Sequence, residues 1–272
     1  MELLLGLQFK VGNGEFGDVY HLLATAYLLL QCQKEKIVIK FEKFPAGEEL
    51  FRFFSVETEE HDPDPKFKPQ HLSATANILL KHFYPGCLDS LAKKIIEAGR
   101  ENRWCFPYPE LTTTDPKLLI WQRGKEYKHH RNSSIKLLEQ LIGLCARHNT
   151  APVILGPRHE LSGAKELGEF HKENPFFADD SIPKQLWFLD TLFRSYGAIA
   201  NVGMMSGAMD GPTMLFGHKT VFLARHRDAT PRMQKVSIAV PNLIWQQIEY
   251  EGCFQKLTDV QLQELEHNLW AN

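Results

Sequence analysis

Three short segments gather residue types that can hold an anion or move a proton. In the first, Gly12, Gly14 and Gly17 are spaced G-x-G-x-x-G and Asp18 follows at once. Glycines let a backbone turn tightly and present N–H groups to an anion. A carboxylate in the opening turn of a helix is electrostatically favoured and on this reading points into a crevice; the plain alternative is a capping aspartate. The second segment runs from Arg123 to Asn132 and carries four permanent cations, Arg123, Lys125, Lys128 and Arg131. That suits a diphosphate whose negative charge grows as it leaves, the alternative being a solvated charged face. His129 and His130 lie in it without a carboxylate or cysteine at ligand spacing, so no metal site is expected. The third segment, Ser206, Gly207, Ala208, Met209, Asp210, Gly211 and Pro212, offers a hydroxyl and small residues at a helix start. Such a turn can cradle a phosphate or ribose, or it is a helix cap or packing site. Asp62 and Asp64, set among Pro63 and Pro65, read as turn residues.

The surrounding pattern places each segment at the end of a strand. Leu3 to Phe9 is an apolar run expected as a buried strand, Val19 to Gln33 a helix, and Lys36 to Phe41 a second strand, one βαβ unit with a right-handed crossover. From Pro45 to Arg103 the pattern is helical and yields no strand, with an amphipathic helix over Leu88 to Ala98 closed by Gly99. Prolines and threonines between Phe106 and Pro116 mark a linker. Beyond it strands are expected at Lys117–Gln122, Pro152–Leu155, Ala198–Val202 and Thr220–Leu223. Helices are expected at Ser133–His148, Gly163–Glu173, Lys184–Ser195, Ala208–Phe216 and Leu257–Leu269. This alternation predicts an open, doubly wound α/β domain whose ligands bind outside the carboxyl ends of its strands.

Composition removes several classes. The chain has 272 residues, 43% hydrophobic and 24% charged, which excludes disorder, collagen and a small disulfide scaffold. Its formal net charge of -2 provides no global field for nucleic acid or an anionic membrane. Five cysteines without metal-ligand spacing read as reduced thiols in a cytoplasm. Met1 to Phe9 is far shorter than the roughly 20 residues that span a bilayer, so no transmembrane segment or export signal is expected. An NAD-type oxidoreductase would need an acidic ribose ligand after the second strand, where Lys40 and Phe41 stand.

Taken in order, the three segments resemble the ADP-heptose heptosyltransferases of glycosyltransferase family 9. Phe16-Gly17-Asp18-Val19, followed by His21 and Leu23, looks like that family's opening turn and first helix. Leu118 to Leu141 is similar to the first strand and basic loop of its donor domain, Pro152 to Pro157 to the next strand, and Ile199 to Phe222 to its terminal strand, Ser-Gly turn, helix and strand. The resemblance implies a GT-B fold: two Rossmann-like domains facing across a cleft, a reduced acceptor-side domain over 1–112 and a nucleotide-sugar domain over 117–272. It implies that Asp18 is the base and that Gly14, Gly17, Arg123, Lys125, Lys128, Ser206, Gly207, Ala208 and Asp210 serve the donor, Lys128 matching the family's diphosphate lysine better than Lys125. The implied reaction is an inverting sugar transfer from a nucleotide-diphosphate sugar to a carbohydrate or glycolipid hydroxyl, with no metal and no cofactor. The chain departs from the family in having Met205 where an aspartate usually precedes Ser-Gly, and Asp210 near a later histidine position. The alternative reading is a catalytically silent nucleotide-sugar-binding module.

Overall fold

A computed structural model describes residues 3–7, 16–32, 37–41, 45–56, 58–60, 70–124, 132–157, 159–167, 181–225, 231–248, 250–251 and 254–271. Leu3–Leu7 (β1), Ile37–Phe41 (β2) and Thr58–Glu60 (β3) form a parallel three-stranded sheet in the order β1-β2-β3, with Leu5 opposite Ile39 and Ile39 opposite Thr58. The crossover from β1 to β2 is Phe16–Cys32 (α1), as the apolar pattern predicts. Pro45–Phe53 (α2), Gln70–His82 (α3) and Asp89–Glu101 (α4) complete this half. The sequence pattern misses β3 because Thr-Glu-Glu carries no apolar signal.

Gly99 does not close α4. The helix continues to Glu101 and ends where the Asn102 backbone N–H and side-chain Nδ2 turn back on the Ala98 carbonyl. Gly99 is buried because a Cβ there would stand 2.2 Å from Nε1 of Trp187, whose indole occupies that space. Close packing, not helix termination, requires the glycine.

The remaining chain runs Lys117–Trp121 (β4), Ile135–Arg147 (α5), Ala151–Leu155 (β5), Lys165–Glu166 (β6), Ile182–Ser195 (α6), Ala198–Met204 (β7), Asp210–Phe216 (α7), Thr220–Ala224 (β8), Pro231–Ala239 (α8) and Leu243–Gln247 (β9). A short antiparallel pair, Tyr250–Glu251 (β10) and Phe254–Gln255 (β11), precedes Asp259–Trp270 (α9). Six of these strands make one parallel sheet in the order β6-β5-β4-β7-β8-β9. The helix expected over Gly163–Glu173 is not found in its described part. Lys165–Glu166 pairs with Val153 and Ile154, and the Glu166 carboxylate accepts the His159 and Leu161 N–H groups at 2.7 and 2.5 Å. A residue with helix propensity here closes a loop, a case of tertiary context overriding propensity.

The six-stranded sheet is buried on both faces. Leu118 and Ile120 face a cluster with Leu138 and Leu141 of α5 and Leu265 of α9, while Leu119 and Trp121 face a second cluster with Leu189 of α6. Val19, Leu22 and Leu23 of α1 belong to that second cluster, so the first half packs against the helices of the second. Between the halves, the residues expected as a linker are irregular apart from one 3-10 turn at Pro109–Leu111. Lys117 fastens them: its buried Nζ donates to the carbonyls of Thr113, Asp115 and Tyr196 at 2.8, 2.9 and 2.7 Å. Burial lowers the ammonium pKa, a tendency opposed by the Asp115 charge. No helix among the described residues is long and apolar enough to cross a membrane.

Candidate functional site

In a doubly wound sheet a crevice opens where two neighbouring strands send their chains to opposite sides. Here β4 and β7 are those neighbours, since the chain continues from β4 to β5 and β6 but from β7 to β8 and β9. The residues that follow these strands stand at its mouth.

After β4 come Gln122, Arg123 and Gly124. The Arg123 N–H donates to Ser133 Oγ at 3.1 Å and the Ser133 N–H donates to the Arg123 carbonyl at 2.8 Å. This clasp joins the two ends of the basic segment at the carboxyl end of β4. Ser134 then caps α5 by accepting the Leu137 N–H at 3.1 Å, so the positive end of that helix dipole lies beside Arg123. The Arg123 side chain is buried, and its Nη1 donates to the Met205 carbonyl at 3.4 Å. The basic segment is thereby tied to the turn that follows β7.

That turn begins at half-buried Ser206, passes through one 3-10 turn over Gly207–Met209, and enters α7 at Asp210. A buried polar chain holds it from behind. Thr213 Oγ1 donates to the Met209 carbonyl at 2.9 Å and lies 2.5 Å from the Thr220 hydroxyl. Asn201 donates to Thr220 Oγ1 at 3.2 Å and accepts from Trp121 Nε1 at 2.8 Å. The turn and β4 therefore share one set of hydrogen bonds, and such buried networks rigidify when satisfied.

The first segment arrives from the other half of the molecule. A Cβ on Gly17 would lie 2.3 Å from Asp210 Oδ2 and 2.8 Å from Gly207 Cα, so only glycine lets α1 approach this closely. Gly211 meets the Tyr20 ring in the same manner. His21 Nε2 lies 3.5 Å from Asp210 Oδ2, with both side chains buried. Burial, reinforced by the Asp210 charge, raises the Tyr20 pKa, which keeps the phenol neutral.

The structure thus brings together Gly17, Arg123, Ser206, Gly207, Ala208 and Asp210 of the residues picked out by sequence. Asp18 lies in α1, but its side chain is outside the described residues, as are Gly14, Lys125, Lys128, His129 and His130. Asp62 and Asp64 are outside them too. Asp210 lies against α1, with Oδ2 toward His21. Sequence reasoning passes over Tyr20 and His21 as site residues. The signal for His21 is its spacing: four residues after Gly17 it falls on the same helix face.

No protein-family model matches the chain, and no curated protein matches it by sequence. Solved structures do match over nearly its full length. The E. coli heptosyltransferase WaaC with ADP superposes with a TM-score of 0.53 at 13% identity, covering 98% of this chain and 100% of that one. E. coli ADP-heptose lps heptosyltransferase II gives 0.51 at 11% identity, covering 99% and 97%. A glycosyl transferase family 9 protein from Veillonella parvula gives 0.52 at 9% identity, covering 90% and 85%. The chain therefore has the fold of the heptosyltransferase-like proteins, in line with the resemblance read from its sequence.

Proposed function

We propose that the chain is a glycosyltransferase that moves a sugar from a nucleotide-diphosphate donor to a hydroxyl on a carbohydrate or glycolipid acceptor, with inversion and without a metal. The observation that carries this reading is the meeting of three elements at one crevice: Arg123 after β4, the Ser206 turn after β7, and the opening turn of α1 packed on that turn. The arrangement supports a two-domain GT-B organisation, with an acceptor-side unit over 1–112 and a donor-side unit over 117–272.

In this mechanism the Asp18 carboxylate takes the proton of the acceptor hydroxyl as its oxygen attacks the anomeric carbon. The bond from that carbon to the departing diphosphate oxygen breaks on the opposite face, which inverts the centre. Negative charge then develops on the diphosphate, where Lys128, Arg123 and the amides around Ser206 to Ala208 stabilise it, with Lys125 in reserve. These cations take the part that a divalent metal plays in other sugar transferases. Met205 favours a second reading, a nucleotide-sugar-binding module without catalysis, because the family usually has an aspartate there; binding without transfer or donor hydrolysis would identify it.

The test is a thermal-shift panel of ADP, UDP, GDP and dTDP and their sugars, followed by turnover assays with and without chelator. One diphosphate family should stabilise the fold, by about 2.7 kcal/mol at a hundred times its dissociation constant. Transfer that chelator abolishes and a divalent cation restores would overturn the metal-independent mechanism.

A further inference from the structure

We propose that His21 and Asp210 form a positioning pair that fixes the opening turn of α1, and Asp18 with it, against the Ser206 turn. Only the role of Asp18 in this inference rests on the glycosyltransferase reading; the contact stands without it.

From Val19 to Ala26 every residue of α1 is buried, so the helix has no polar face in this stretch. A histidine in such a place must find a polar partner, because an unpaired buried polar group is destabilising. Both His21 ring nitrogens are buried and neither makes a hydrogen bond among the described residues. Asp210 Oδ2 stands 3.5 Å from Nε2, and Asp210 Oδ1 is itself buried without a hydrogen-bond partner among the described residues. The two groups are each other's electrostatic complement, and removal of one leaves the other stranded in a dry site.

The same carboxylate touches α1 at two successive turns. Gly17 is so close to Asp210 Oδ2 that no side chain fits between them, and His21 meets it one turn later. Two contacts on one face fix both the rotation and the axial position of a helix. Asp18 follows Gly17 directly in α1, so the place of its backbone against the Ser206 turn is set by this pair. A displacement of about 1 Å at a reacting group can lower a rate by roughly 10²-fold, so the pair should act on turnover more than on donor binding. His21 and Asp210 are positioning residues here, not catalytic ones.

Substitutions that separate polarity from volume test this on the full chain. His21→Leu keeps much of the volume and removes the polar ring, whereas His21→Gln keeps a donor that can reach Asp210. In the absence of substrate, His21→Leu should speed amide exchange over 17–22 and 207–212 by about tenfold, and His21→Gln should return it to within about threefold of the parent. Release of nucleotide diphosphate from the donor sugar that gives the largest thermal shift should fall about tenfold in kcat for His21→Leu, with KM held within about twofold, and recover in His21→Gln. Unchanged exchange in His21→Leu, or a His21→Gln variant no better than it, overturns the pair. If His21→Leu does not fold, a denaturation cycle of His21→Asn, whose amide is too short to reach Asp210, with Asp210→Asn decides: coupling of about fivefold in the unfolding constant supports it and simple additivity overturns it. Full turnover in Asp18→Asn would instead remove Asp18 from the mechanism and leave the pair standing.

Discussion

The two parallel sheets differ in one respect that governs the site. The six-stranded sheet winds outward from β4 in both directions, so it contains a reversal point and a crevice. The three-stranded sheet runs one way, β1-β2-β3, and among the described residues it has no reversal of its own. Its helix α1 nevertheless opens on the other half of the molecule, because Gly17 packs onto Gly207 and Asp210. Under the proposed function the larger sheet binds the donor and the smaller one delivers a helix end to it. The crossover helix α1 is buried all round from Val19 to Ala26, with a sheet on one side and α7 on the other.

If the division is correct, the largest effect belongs to the delivered residue. Asp18→Asn should lower turnover by about 10² to 10⁴-fold while leaving nucleotide-diphosphate affinity nearly unchanged in calorimetric titration. Equal losses of binding and rate would break the comparison. On the binding side, Lys128→Ala and Arg123→Ala should each weaken nucleotide-diphosphate affinity by about 1 to 3 kcal/mol, the range for a lost charge-assisted contact. The junction responds to volume: Gly17→Ala should destabilise the fold by about 1 to 3 kcal/mol through overpacking. Gly143→Ala, on an exposed turn of α5 where nothing lies within 4 Å of the added methyl, should stabilise by about 0.5 to 1 kcal/mol. Denaturant midpoints of the two variants should therefore move in opposite directions.

The smallest expected effect lies in the donor half. Burial holds the His218 imidazole below its usual range despite its contact with Asp190 at 3.3 Å. The unfolded chain then takes up a proton near pH 6.5 that the folded chain resists, so this residue makes stability fall as pH drops from about 7 through that value. His218→Gln should flatten the decline by up to about 1.4 kcal/mol per pH unit, read from chemical denaturation at successive pH values. An unchanged slope would remove His218 from the titration.

Much of the fold is legible in the chain because its main strands are apolar runs set between turn signals. Leu3–Leu7, Lys117–Trp121, Ala151–Leu155 and Thr220–Ala224 fall within a residue or two of their expected bounds. Short polar strands leave no such mark: Thr58–Glu60 and Lys165–Glu166 are held by pairing with a neighbour distant in sequence. Pro231–Ala239 and Leu243–Gln247 also escape, since the helix mixes polar and apolar residues and the strand ends in two glutamines. Gly99 misleads because a glycine that makes room for Trp187 has the same letter as one that ends a helix. At the site, the nearness of Gly17 to Gly207 and of Arg123 to Met205 follows the expectation that loops after strands converge. The contact of His21 with Asp210 could not be read in this way, for a histidine in an apolar helix declares no partner until the helix opposite it is known.

The place of a bound donor tests the proposed function most directly. Co-crystallisation with the nucleotide diphosphate that stabilises the chain most should place its diphosphate between the carboxyl ends of β4 and β7, within hydrogen-bonding reach of Arg123 or Ser206. A diphosphate bound instead at the glycine loop after β1, away from both, would contradict it.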